Sequence, residues 1–215
     1  MVLFSPGSYA KTWYVKPDGT GDAPTIQAGI DSAAVADTVL LANGTFTGMG
    51  NRDIDFNGKA ITVRSESGDP NLCIIDCQEA GRGFYFHSGE WYGSVIDGVT
   101  ITNGSAQAGG GIFVAYHWPA GISPTVTNCT FYDNRVELYG GAIYCDNSRI
   151  ALTNCTFYFN WSDADGGGIC CVSSTPTLTN CTFHNNIANH GAGMYSEWST
   201  PIISNCTYVA NLAGG

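Results

Sequence analysis

In the second half of the chain, apolar and polar residues alternate in short stretches that recur with a fixed period. Within Asn128-Cys129-Thr130-Phe131, Cys129 and Phe131 share parity and face inward, while Thr130 faces out. Alternation over so few residues is the pattern of a short half-buried strand. The triplet Asn-Cys-Thr begins at Asn128, Asn154, Asn180 and Asn205, at steps of 26, 26 and 25 residues. Each triplet leads to an aromatic and then to an Asn: Phe131 to Asn134, Phe157 to Asn160, Phe183 to Asn186 and Tyr208 to Asn211. Glycine clusters follow at Gly140-Gly141, Gly166-Gly167-Gly168 and Gly191-Ala192-Gly193, and the Gly109-Gly110-Gly111-Ile112 stretch with Val99-Thr100-Ile101 reads as a diverged earlier copy.

A unit of this length, made of short strands and turns, cannot bury its own apolar side. It must stack on its neighbour, with strands pairing in parallel about 4.8 Å apart. The expected fold class is therefore all-β, a single-stranded right-handed parallel β-helix in which equivalent residues form ladders. Asn128, Asn154, Asn180 and Asn205 then bond side-chain amides along a turn. That ladder explains the recurring Asn-Cys-Thr without any glycan, although the triplet also matches the N-glycosylation pattern. Glycines supply positive φ or close approach where the coil bends. Cys129, Cys155, Cys181 and Cys206 hold one repeat position, and Cys145 with Cys171 a second, so they read as small buried apolar residues. Cys73 and Cys77, close together in the irregular first half, are the better disulfide candidates.

The first third differs. After Pro24, residues 25–34 carry apolar side chains at helical spacing and predict a short amphipathic helix covering the open end of the bore. Strands begin at Asp37, which sets the expected division: residues 1–36 as an N-terminal strand and capping helix, and residues 37–215 as coils, regular at about 26 residues from about position 99. Inward strands are expected at 61–63, 73–75, 84–86 and 95–99. Residues 211–215 stop where another glycine cluster would begin, without a cap, and predict end-to-end self-association through the last coil.

Composition agrees with strands and turns: 28 glycines and only 12% charged residues. The formal net charge is −10, and all three lysines, Lys11, Lys16 and Lys59, lie in the first third. Nucleic acid and anionic membrane surfaces are therefore excluded as expected partners. No apolar run approaches a membrane span, and the opening residues 1–7 lack the basic and long apolar regions of a signal peptide.

Trp13-Tyr14-Val15, Asp18-Gly19-Thr20-Gly21, Pro24-Thr25-Ile26-Gln27, Asp37-Thr38-Val39 and Gly44-Thr45-Phe46 resemble the capped start of pectate-lyase-superfamily β-helices. The Asn-Cys-Thr-Phe-x-x-Asn and Gly-Gly-Ala-Ile units resemble repeats of bacterial surface β-helices and of chlamydial polymorphic outer-membrane proteins. The resemblance implies an extracellular or cell-surface protein, its leader removed, and leaves function open, because such folds include lyases, hydrolases, esterases, adhesins and stalks. The catalytic patterns of the family's lyases and polygalacturonases are missing: no adjacent Asp pair, no Gly-His-Gly and no lysine after Lys59.

One outward strip can nevertheless be constructed by parity. Ile112, Val114, Ile143, Cys145, Ile169, Cys171, Met194 and Ser196 are expected inward; Phe113, Tyr144, Cys170 and Tyr195 outward, with Asp146 and Glu197 two coils apart beside them. Phe113, Tyr144 and Tyr195 are the candidate substrate-binding residues, and Asp146 and Glu197 the candidate catalytic acids. No cofactor or metal is required; calcium at Asp163 and Asp165 is the alternative. Thr100, Thr130, Thr156, Thr182 and Thr207 form a Thr column, but bulky Tyr132, Tyr158 and His184 break the flatness that an ice-binding face needs. His87, His117, His184 and His190 read as surface or packing residues, and Trp91, Trp118, Trp161 and Trp198 as loop residues. The expected function is a non-enzymatic stalk, adhesin or surface that binds a polysaccharide or cell-surface glycan. A polysaccharide lyase or glycoside hydrolase is the alternative.

Overall fold

The structure, a computed structural model, describes residues 10–115 and 122–214. His117 and Trp118 lie outside the described residues. The chain winds into parallel coils whose strands stack into four sheets. One coil shows the plan: Thr130–Tyr132 in sheet 2, Arg135–Tyr139 in sheet 3, Ile143–Asp146 in sheet 4 and Ala151–Thr153 in sheet 1. Among the described residues, sheet 1 holds eight strands, sheet 2 seven, and sheets 3 and 4 five each. The pairing is in register from coil to coil, with Phe131 over Phe157 and Phe157 over Phe183.

Parity dictates the interior. Phe131, Phe157, Phe183 and Tyr208 stack face to face, with ring centroids 4.8, 4.5 and 4.6 Å apart and planes within 3°. The outer Asn ladder forms over three of its four expected members: Asn154 donates to Asn128 Oδ1 and Asn180 to Asn154 Oδ1, each at 3.1 Å, while Asn128 donates to Asp97 at 2.8 Å; among the described residues, Asn205 adds no amide bond to it. All four ladder Asn residues sit at φ between 52° and 54°. A second ladder lies inside. Asn134, Asn160 and Asn186 are fully buried, and their amides bond in sequence down to Asn211, each step 2.9 Å. Their other amide hydrogens close the turns onto Ile101, Phe131 and Phe157 carbonyls.

The helix spans Ile26–Ser32, shorter than residues 25–34, because Thr25 serves as its N-cap and accepts from the Ala28 N–H at 3.2 Å. Ile26 and Ile30 plug the core, and Gly29 lets the helix rest on Val15 and Val39. The early strands are Thr62–Ser65, Cys73–Asp76, Phe84–Phe86 and Val95–Asp97; Ile61 and Val99 are buried at their flanks. In the last coil Met194 is half-buried and Ser196 exposed, unlike their inward counterparts above.

The disulfide expected between Cys73 and Cys77 does not form; both are free and buried. They share one extended strand run, so four residues separate them by about 13 Å, well beyond the roughly 7 Å limit for a bridge. Burial pushes both thiols up to about 12. Of nine cysteines, only Cys206 is not fully buried. Iodoacetamide is expected to label Cys206 alone in the native protein, and all nine after unreduced denaturation. Two thiols protected in denaturant would show a bridge instead.

Candidate functional site

Sheet 4 carries the strip. Its register places Tyr85, Phe113, Tyr144, Cys170 and Tyr195 in one outward column, and Asp146, Val172 and Glu197 in the next. Alternating inward residues such as Ile112, Ile143 and Ile169 are fully buried, which fixes the outward parity of the column. Phe113, Tyr144 and Tyr195 are each half-buried rather than fully exposed. Phe113 packs edge-on against Tyr144 at 5.1 Å, and Tyr139 stacks on Tyr144 at 5.7 Å from across the corner with sheet 3. Burial and the Asp146 charge push the Tyr144 phenol up to about 12, and Glu197 raises that of Tyr195.

Cys170 corrects the expectation of an open column. It points outward by parity yet is fully buried, between Tyr144 and Tyr195 and against Gly166 at the corner. Asp146 and Glu197 do stand two rungs apart with Val172 between them. Asp146 accepts from Asn147 Nδ2 at 2.9 Å, and Glu197 from the exposed Trp198 indole at 3.1 Å.

The strip extends further toward the N-terminal coils than the repeat indicated. Tyr85 packs on Phe113 at 5.2 Å and is flanked by Arg82 and His87. The Arg82 guanidinium lies 4.7 Å from the Tyr85 ring and 5.0 Å from Phe113, while the His87 imidazole lies 4.1 Å from Tyr85. Each has a carboxylate: Asp53 is 3.8 Å from Arg82, and Asp55 3.1 Å from His87 Nε2. Behind them Glu90 is fully buried, capping the Gly58 and Ser88 N–H groups at 2.9 Å, and burial raises its pKa. The signal for Tyr85 and His87 was present: inward Phe84 and Phe86 require them to face out.

Asp163 and Asp165 each have a separate partner. Asp163 accepts from the Trp161 indole at 2.7 Å, and Asp165 pairs with His190 Nδ1 at 2.8 Å. Among the described residues, no group of three or more His, Cys, Asp or Glu is placed to hold a metal ion. Trp161 is in a strand, Trp161–Ser162, not in a loop. On sheet 2, Tyr132, Tyr158 and His184 stack at 4.6 and 5.1 Å beside the Thr column.

A family model described as a right handed beta helix region matches residues 37–215. No curated protein matches the chain. Among solved structures, the pectin methylesterase from Aspergillus niger, in penultimately deglycosylated form, is similar at 11% identity, over 98% of this chain and 86% of that chain, with a TM-score of 0.48. No helix among the described residues is long and apolar enough to cross a membrane.

Proposed function

Because the chain belongs to the right-handed β-helix family, whose interior is filled by ladders, we propose that its outer faces carry the function: it is a non-enzymatic module of a secreted or cell-surface protein that presents sheet 4 to a glycan. The observation that supports this reading is the contiguous outward run Tyr85–Phe113–Tyr144, with successive rings 5.2 and 5.1 Å apart. Half-buried rings offer apolar edges and faces to the C–H surfaces of sugars, while flanking carboxylates and the Arg82 guanidinium supply hydroxyl partners. The surface placement rests on the repeat motifs that resemble those of surface β-helices.

Tyr144 is central to the run, so Tyr144→Ala is expected to weaken binding of at least one array-positive glycan, the one that sheet 4 holds, at least tenfold, roughly 1.4 kcal/mol, while circular dichroism shows the coils still folded. Undiminished binding in this variant would remove sheet 4 from the interaction.

One observation favours a hydrolytic reading. Asp146 and Glu197, two rungs apart, have backbones about 9–10 Å apart, which overlaps the roughly 6.5–9.5 Å carboxyl separation of inverting glycosidases. If the site is catalytic, Asp146→Ala and Glu197→Ala each abolish release of reducing or unsaturated ends from a polysaccharide. No turnover by the wild type across a panel, with and without calcium, leaves the binding module.

A further inference from the structure

We propose that sheet 3 carries a second binding site, centred on Arg135 and Trp161, for an uncharged, hydroxyl-rich ligand of the saccharide class. This site lies on a different sheet from the Tyr85–Phe113–Tyr144 run and stands or falls separately from it.

The register of sheet 3 stacks Ser105, Arg135 and Trp161 in one outward column. Gln107 and Glu137 follow two residues further along their strands, and Asp163 lies just past the end of Trp161–Ser162. Together these side chains line a groove of about 510 Å³. A second cavity of about 140 Å³, lined by Glu79, Asn103 and Asp133, continues from it and shares Ser105 and Arg135. Arg135 therefore lines both cavities, one on sheet 3 and one toward the corner with sheet 2.

The central pair is pre-organised. Trp161 donates its indole N–H to Asp163 Oδ1 at 2.7 Å, which fixes the ring, and the Arg135 guanidinium lies 4.7 Å from the ring centroid. Among the described residues, no carboxylate comes within ion-pair distance of Arg135 and no acceptor takes a hydrogen bond from its side chain. An exposed arginine surrounded by acids ordinarily folds onto one of them; here stacking holds it over the indole with its N–H edge unpaired. A ligand meets donors whose conformational freedom is already restricted, which lowers the entropic cost of binding.

Charge selects the ligand class. One positive side chain, Arg135, stands among four acidic ones, Glu79, Asp133, Glu137 and Asp163, on a chain of formal charge −10. A polyanion is repelled by the acids, and a polycation meets Arg135 at the centre of the groove. Vicinal hydroxyls suit both: carboxylates and the Gln107 and Asn103 carbonyls accept from them, while Arg135, Ser105 and the amide N–H groups donate.

The test uses the whole chain and isothermal titration with neutral oligosaccharides (cello-, xylo- and manno-oligomers), with oligogalacturonate and oligolysine as charged counterparts. At least one neutral oligomer is expected to bind, with little sensitivity to added salt. Arg135→Ala and Trp161→Ala are each expected to weaken that binding tenfold or more, while Tyr144→Ala leaves it unchanged. Both substituted side chains face outward, and circular dichroism melts verify that the coils persist; Arg135→Lys, which keeps the charge but loses the planar stack, is expected to weaken binding as well. The proposal is overturned if no neutral oligomer binds, if oligogalacturonate or oligolysine binds more tightly, or if Tyr144→Ala removes the binding while Arg135→Ala does not.

Discussion

Replacing Asn160 with alanine is expected to destabilise the protein by about 4 kcal/mol and to lower its melting temperature by roughly 10 °C. Asn160 is fully buried. Its Oδ1 accepts from the Asn134 backbone N–H at 3.2 Å and from Asn134 Nδ2 at 2.9 Å; its own Nδ2 donates to the Phe131 carbonyl at 3.0 Å and to Asn186 Oδ1 at 2.9 Å. Alanine leaves two donors on Asn134 without acceptors in a site that water does not reach. Each orphaned buried group costs about 1–3 kcal/mol, and the vacated volume adds to that cost. Asn154→Ala provides the contrast. Asn154 lies in the exposed ladder, where water replaces the lost partners, and its principal loss is the tolerance of Asn for φ = 54°, about 1 kcal/mol. Urea titrations of the two variants, followed by far-ultraviolet circular dichroism, should separate them clearly. Equal midpoints would mean that the inner ladder contributes no more than the outer one.

That contrast also shows what could be read from the sequence. A strict period of 26, 26 and 25 residues yields parity and register together, so the inward phenylalanines, the buried thiols and the outer Asn ladder follow from spacing alone. The same period exposed Asn134, Asn160, Asn186 and Asn211 as equivalent, but not their burial, because a polar residue after a strand reads as a solvent turn. Only the close glycine corner beside them, where Gly104 also donates its N–H to Asn134 Oδ1 at 2.9 Å, makes a dry turn.

Other features depend on contacts that parity does not encode. Cys170 is outward along its own strand and is buried by residues from neighbouring rungs and the adjoining corner. Trp161–Ser162 and Ile187–Ala188 are two-residue strands, too short for alternation to register, so sheet 3 and its groove left little trace in the pattern. Tyr85, His87 and Arg82 fall in coils whose lengths depart from the repeat, although their parity was legible beside Phe84 and Phe86. Cys73 and Cys77 illustrate the opposite error: neighbours in sequence are distant once the chain between them is extended.

Gly141→Ala is expected to cost about 3 kcal/mol through overpacking and, with it, ligand binding in the sheet 3 groove. A Cβ at this position would collide with the Gly167 carbonyl oxygen and stand 2.7 and 2.8 Å from the Trp161 carbonyl oxygen and amide nitrogen. All three are backbone atoms of the next coil. They cannot rotate aside as a side chain would, and moving them lengthens rung-to-rung bonds such as Gly141 N–H to Gly166 O at 2.9 Å. The strain is therefore relieved by displacing the segment that carries Trp161, the platform beneath Arg135. Gly68→Ala separates this effect from the general cost of losing a glycine. Gly68 has φ = 69° and open space where a Cβ would lie, so its substitution costs only the left-handed strain of about 1–2 kcal/mol and leaves the groove intact. Thermal melts and oligosaccharide titrations on both variants distinguish the two cases. A Gly141→Ala protein as stable as Gly68→Ala, with binding retained, would show that adjacent coils at this corner are not held at the spacing that only glycine permits.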